Sequence, residues 1–264
     1  MTTATDPLLV VRDIRKSFGQ VKAVRGADLT VNRGEVVAVV GDNGAGKSTF
    51  ISCISGATTP DAGEVRINGQ AIALGSIRAA MDAGIATVYQ DLAMAPDLSV
   101  AENIYLSTEL RRPGLMGRLG FIDHAGMINR SRQLISDLGI TTLTDVRVTA
   151  GSLSGGQRQV AAVARAVSRA ARLVILDEPT AALGTRQSQI VLDTIDATRK
   201  RGLGVLLISH DLPRVLEVAD RIVTMRFGQI VANMPSEGMT VTRIVSLMLG
   251  EEVVEQKEAP NTHE

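Results

Sequence analysis

VVAVVGDNGAGKST, residues 36–49, is the stretch on which the fold turns. Its first five residues form an unbroken apolar, mostly β-branched run, the composition of a strand buried on both faces. Gly41-Asp42-Asn43-Gly44-Ala45-Gly46-Lys47-Ser48 then fits G-x-x-x-x-G-K-[ST] in full, with Thr49 leading into the helix-like segment FISCISG. A chain of this length would match that pattern by accident about one time in a hundred at average residue frequencies. A strand before and a helix after lower those odds further. Glycines let successive backbone N–H groups cradle phosphate oxygens, Lys47 reaches the β/γ phosphates, and Ser48 Oγ is placed to ligate Mg²⁺. A nucleotide site is therefore expected at 41–49.

Working outward, short apolar runs alternate with helix-like segments, which predicts an α/β fold around a mostly parallel sheet. The core strands are expected at 36–40, 85–89, 173–176, 204–209 and 221–225. An earlier group at 8–11, 27–31 and 64–69 has turn-like connections and predicts an antiparallel β patch beside the core. Residues 99–171 read as helices, with RRPGLMGRLGF (111–121) as a Gly/Pro-broken loop between them. The expected organisation is one domain over 1–250, with a helical subdomain at about 91–162 inserted in the core, and a flexible, charged tail at 251–264.

The 264 residues carry 28 Lys and Arg against 28 Asp and Glu. That balance argues against a nucleic-acid partner, which more often meets a basic stripe. No run approaches the ~18–20 apolar residues of a membrane span, and MTTATDPLLVV lacks the basic start of a secretory signal. The expectation is a soluble, intracellular chain. Cys53, the single cysteine, sits on an apolar helix face and reads as a small core residue.

Several residues outside the loop carry chemistry. LVILDEP (173–179) is an apolar strand ending in two carboxylates: Asp177 can hold the Mg²⁺ water shell, and Glu178 can polarise an attacking water. His210 ends the apolar run GVLLIS at the same end of the sheet, where ligands collect in such folds, so contact with a γ-phosphate is favoured over simple helix capping. Gln90 ends IATVY in the same way; its amide either reaches the metal or the water, or is a solvated loop residue. Phe18, in KSFGQ, either stacks on adenine or plugs the antiparallel patch, with stacking favoured. GSLSGGQRQ (151–159) opens a helix with a serine and two glycines, a second anion-seeking helix start.

Taken in order, GDNGAGKST, Gln90, LSGGQ (153–157), LVILDE and His210 resemble the ATP-binding subunit of ABC transporters, from about residue 8 to 249. The resemblance implies ATP and Mg²⁺ as cofactors, with Ser48, Gln90 and Asp177 around the metal. It also implies that two copies pack head to tail. Ser154, Gly155, Gly156 and Gln157 of one then close over ATP held by the phosphate loop of the other. Transmembrane permease subunits would be the direct partners and an extracytoplasmic solute-binding protein an indirect one, with the chain peripheral on the cytoplasmic face of the membrane. EPTAALG (178–184), residues 208–231 and MTVTRIVSLMLG (239–250) resemble the monosaccharide importers of the ribose, xylose and fructose type. Two positions depart from the wider pattern: Gly184 stands where most members have an aspartate, and Phe18 where tyrosine is usual. The competing readings are a subunit for another solute or a soluble relative acting on DNA or ribosomes. The repair type has a long coiled coil and the ribosomal type a second cassette with basic linkers, and neither is seen in this sequence. A non-hydrolysing regulatory cassette would not require Lys47, Glu178 and His210 together.

Overall fold

The computed structural model describes residues 7–181 and 183–251. The expected tail, beyond Glu251, lies outside the described residues. Along the chain come β1 (Leu9–Phe18), β2 (Val21–Val31), β3 (Val36–Val40), α1 (Lys47–Ile54), β4 (Ala62–Ile67) and β5 (Gln70–Ala71). Next are α2 (Ile77–Asp82), β6 (Ile85–Val88), α3 (Val100–Tyr105), α4 (Leu115–Arg118), α5 (His124–Asp137) and α6 (Gly155–Arg169). The last third holds β7 (Leu173–Asp177), α7 (Thr185–Lys200), β8 (Gly204–Ile208) and α8 (Leu212–Val218). The final elements are β9 (Arg221–Arg226), β10 (Gln229–Pro235) and α9 (Val241–Leu249).

Two sheets result. The main one runs β10-β9-β3-β8-β7-β6, parallel except where β10 pairs antiparallel with β9. The other is antiparallel, in the order β2-β1-β4-β5. β3 lies inside the main sheet and all five of its residues are buried, which is why it shows no polar alternation. Val36, Ala38 and Val40 join one core with α3, α6, α7 and α8. Val37 and Val39 point the other way, into a second core with Phe50, Ile51 and Ile54 of α1 and the inner face of the antiparallel sheet.

Between β6 and β7 the described chain holds helices joined by loops, with strand pairing limited to the isolated bridges Ser99–Thr149 and Arg111–Ile122. α6 is the central helix of this part. Val160, Ala161, Ala162, Val163 and Ala164 are all buried, and small side chains let α3, α7 and β6 approach it closely. Near its C-terminus Arg165 donates to the carbonyls of Leu92 and Ala93, and Arg169 to that of Leu106. The end of α6 is thus tied to the segment that follows Gln90.

The structure differs from the sequence reading in four places. β1 continues to Phe18 and β2 begins at Val21, joined by a two-residue turn at Gly19-Gln20. Arg12, Asp13 and Arg15 are exposed and Lys16 is half-buried, so polar residues interrupt the apolar pattern and hide the strand. β10 was not expected, since as an edge strand it is exposed at every second residue. Within 111–121 the chain makes the short helix α4, closed by the Arg111–Ile122 bridge, where a loop was expected. The core strand expected over 85–89 stops at Val88.

Candidate active site

The phosphate loop is built by packing. β3 ends at Val40, the chain turns through Gly41–Gly46, and α1 begins at Lys47. Gly46 has φ +100°, and a Cβ there would lie 2.3 Å from the Ala23 carbonyl oxygen, so both conformation and space demand glycine. The loop is pinned from inside by Ala45 N–H donating to Asp42 O at 3.0 Å. Lys47 is buried; its Nζ donates to Gly41 O at 2.7 Å and Asp42 O at 3.0 Å. Burial holds its ammonium below the usual lysine range, opposed by the charges of Glu178, Asp42 and Asp177. Ser48 is exposed at the first turn of α1, where free N–H groups and the helix dipole favour an anion.

Sheet register brings the carboxylates to the same edge. Asp177 pairs with Ile208, so Glu178 lies opposite Ser209 and next to His210. Val88 pairs with Leu176, which places exposed Gln90 two residues past the strand end on that edge. Glu178 has φ +51°, an uncommon and costly conformation for a residue with a long side chain. Its backbone is held there by Glu178 N–H donating to Ile208 O at 2.9 Å and Ala181 N–H donating back to Glu178 O at 3.1 Å. The Glu178 side chain is 17% exposed and Oε2 lies 2.8 Å from Nδ1 of His210, itself 69% exposed. The contact is off the hydrogen-bond direction, and Glu178 Oε2 has no hydrogen-bond partner.

Asp177 is held above the usual carboxylate range, first by burial and then by the charge of Glu178, with Lys47 acting the other way. Two carboxylates beside a lysine, at the edge of a phosphate cradle, fit a magnesium ion. That ion takes one or two carboxylates, with phosphate and water completing its shell. Among the described residues no cluster of three His, Cys, Asp or Glu exists that would hold a metal without such help.

Ser154 caps α6 in a reciprocal arrangement. Its Oγ accepts from Gln157 N at 3.3 Å, and Gln157 Oε1 accepts from Ser154 N at 3.0 Å. Gln157 Nε2 also donates to Thr142 O at 2.7 Å, locking the helix start to the preceding segment. Ser154 and Gly155 are exposed, while Gly156 is buried against Gln187, whose Cβ would lie 2.9 Å from an added methyl. None of these four residues lines the cavity that the phosphate loop opens into.

That cavity holds about 720 Å³ and is lined by Asn43–Thr49, by Gln20–Ala23 and Arg25 of the first hairpin, and by Phe227 and Gly228. Phe18 is not on its wall. It ends β1, 54% exposed, with the Lys16 ammonium 5.3 Å from its ring centre. The lining residues of β2 and the Phe227-Gly228 turn were missed from the sequence. Only the pair Phe-Gly between two apolar runs, in a place where Asn-Gly or Asp-Gly would be ordinary, carries any signal of them.

A phosphate loop ending a buried parallel strand, with Asp177, Glu178 and His210 on neighbouring strand ends, defines a phosphate-loop nucleotide hydrolase. Comparison with known proteins narrows the class. The ABC transporter family model matches residues 24–181. The chain is 46% identical to the fructose import ATP-binding protein FrcA of Rhizobium meliloti, over 94% of this chain and 95% of that one. It is 42% identical to the xylose/arabinose import ATP-binding protein XylG of Sulfolobus acidocaldarius, over 91% and 93%. Among solved structures it is similar to MJ1267, an ATP-binding cassette of an ABC transporter in its ADP conformation. The TM-score is 0.78 and identity 27%, with 94% of this chain and 100% of that one covered. The chain belongs to the ABC transporter ATP-binding family and is an ATP-hydrolysing transport ATPase.

Proposed function

We propose that the chain powers uptake of a monosaccharide across the cytoplasmic membrane, working as a pair of copies beneath transmembrane permease subunits. Its similarity to FrcA along almost the full length of both chains carries this reading. An extracytoplasmic solute-binding protein would supply the sugar without touching this chain, which would stay on the cytoplasmic face. Among the described residues no helix is long and apolar enough to cross a membrane.

In the proposed mechanism Lys47 and the N–H groups of 41–49 grip the β- and γ-phosphates. Ser48, Asp177 and Gln90 would hold Mg²⁺, which when bound would offset charge on the phosphates. Glu178 takes a proton from water as its oxygen attacks the γ-phosphorus and the bond to the β-phosphate oxygen breaks. His210 steadies the γ-phosphate. Exposed Ser154 and Gly155, with Gly156 and Gln157 behind them, cap the nucleotide of the second copy, which is why they stand apart from their own phosphate loop. Contacts that exist only in the closed pair give nucleotide the differential affinity that a conformational switch requires.

Glu178→Gln should bind MgATP as the wild type does, lose about 10²–10⁴ in hydrolysis rate, and accumulate as an ATP-bound pair in gel filtration. Wild-type turnover would remove Glu178 from the role. In the native host, deleting the chain should abolish uptake of a labelled monosaccharide and leave amino-acid uptake unchanged. The reverse pattern would overturn the sugar assignment.

A further inference from the structure

Phe227 stands out for its backbone. With Gly228 it forms the two-residue turn between β9 and β10, where Arg226 pairs with Gln229. Both turn residues have positive φ, +47° at Phe227 and +77° at Gly228, as in the tight hairpin turns that ordinarily use Asn-Gly or Asp-Gly. A bulky aromatic residue adopts this region only at a cost that asparagine largely escapes. Phe227 does not recover that cost by burial, since it is 68% exposed. A strained, exposed aromatic residue therefore calls for an explanation outside the chain's own packing.

Its surroundings supply one. The turn is bolted to the phosphate loop: Gly228 N–H donates to Ala45 O at 2.9 Å, and Arg25 N–H donates to Gly228 O at 2.7 Å. A Cβ on Gly228 would lie 2.8 Å from Ala23 O, and one on Gly46 would lie 3.3 Å from Gly228 Cα, so the two segments are packed backbone to backbone. Phe227 lines the same cavity as Asn43–Thr49. The Arg226 guanidinium lies 4.9 Å from the ring centre, which fixes the ring without burying it. Phe18, the aromatic residue first expected to meet the base, is not on that wall.

We propose that Phe227 is a nucleoside contact of this site. Its ring packs on the base or ribose of a nucleotide whose phosphates lie in the 41–49 loop. The proposal rests on the ATPase reading above, and it makes the β9–β10 turn part of the binding site. Phosphate contacts and the Phe227 contact are held in one register because the turn hydrogen-bonds to the loop directly.

The test uses the full chain, magnesium, and two ligands that share phosphates but not a base: ATP and inorganic tripolyphosphate. Titration calorimetry on Phe227→Asn should show ATP binding weakened about 5- to 140-fold, the range of losing one aromatic–base contact, with tripolyphosphate binding unchanged. Asparagine suits the turn, so the melting temperature should stay level or rise. Phe227→Trp should keep ATP affinity within about twofold of wild type. Unchanged ATP affinity in Phe227→Asn would overturn the proposal. Equal loss of both ligands would also overturn it, because the turn would then act only by shaping the phosphate loop. Should the asparagine variant not fold, Phe227→Leu is read by the same criteria. If wild-type protein binds neither ligand, the site reading itself fails and the proposal with it.

Discussion

Asp177 sits where burial and the neighbouring Glu178 disfavour its charged form, and that has a measurable consequence. Its folded pKa is raised, so the native state holds the proton more tightly than the unfolded chain does. The carboxylate form costs stability at neutral pH, and the cost disappears as pH falls through the raised folded value. Asp177→Asn should therefore stabilise the nucleotide-free protein at pH 7. Calorimetry should show a higher melting temperature than the wild type at pH 7, and a smaller gap at acidic pH. The same variant should bind ATP less tightly when Mg²⁺ is present, with little change in its absence. A lower melting temperature would mean that Asp177 has a stabilising role the charge argument lacks. Cys53 makes the opposite case of a titratable group with no task. It is buried on α1, and burial pushes its thiol up to about 11, in keeping with a core residue.

At the scale of elements, α6 shows how a functional motif can double as a folding signal. Ser154 and Gln157 satisfy two otherwise free N–H groups at the start of a helix whose middle is the centre of a core. Ser154→Ala should cost about 1 kcal/mol, seen as a loss of about 2–4 °C in melting temperature without nucleotide. No loss would show that the cap is idle in the free chain. What the sequence disclosed follows the same logic. β3, β7 and β8 were legible because strands buried on both faces are continuous apolar runs, and the phosphate loop because Gly41 and Gly46 have no room for a Cβ and Gly44 has a positive φ. β10 and the outer half of β1 were not, because an edge or half-solvated strand shows weak alternation that polar residues interrupt. Phe227 was invisible for another reason: its meaning comes from the hydrogen bond that its neighbour Gly228 donates to Ala45, far earlier in the chain, which no local pattern records.

The whole molecule leaves Ser154 and Gly155 exposed and off the wall of the cavity that the phosphate loop lines, and the paired arrangement predicts complementation. Lys47→Ala and Gly155→Glu chains should each be inactive alone, the first for want of its phosphate grip and the second for placing negative charge against its partner's nucleotide. Mixed, they form heterodimers with both lesions at one site and none at the other, so ATPase activity should partly return once subunit exchange is verified by mass spectrometry. No return despite exchange would contradict two sites able to work separately, each shared between copies. One feature of α6 bears on how such a pair could do work. Roughly 16 Å of helix separates Ser154 from Arg165, at 1.5 Å per residue. Arg165 holds the Leu92 and Ala93 carbonyls through charge-assisted hydrogen bonds. The helix is therefore a pushrod with a clevis at its far end. A displacement delivered at the serine arrives at the segment after Gln90 with little lost to compliance, unless those two bonds let go and the linkage runs free.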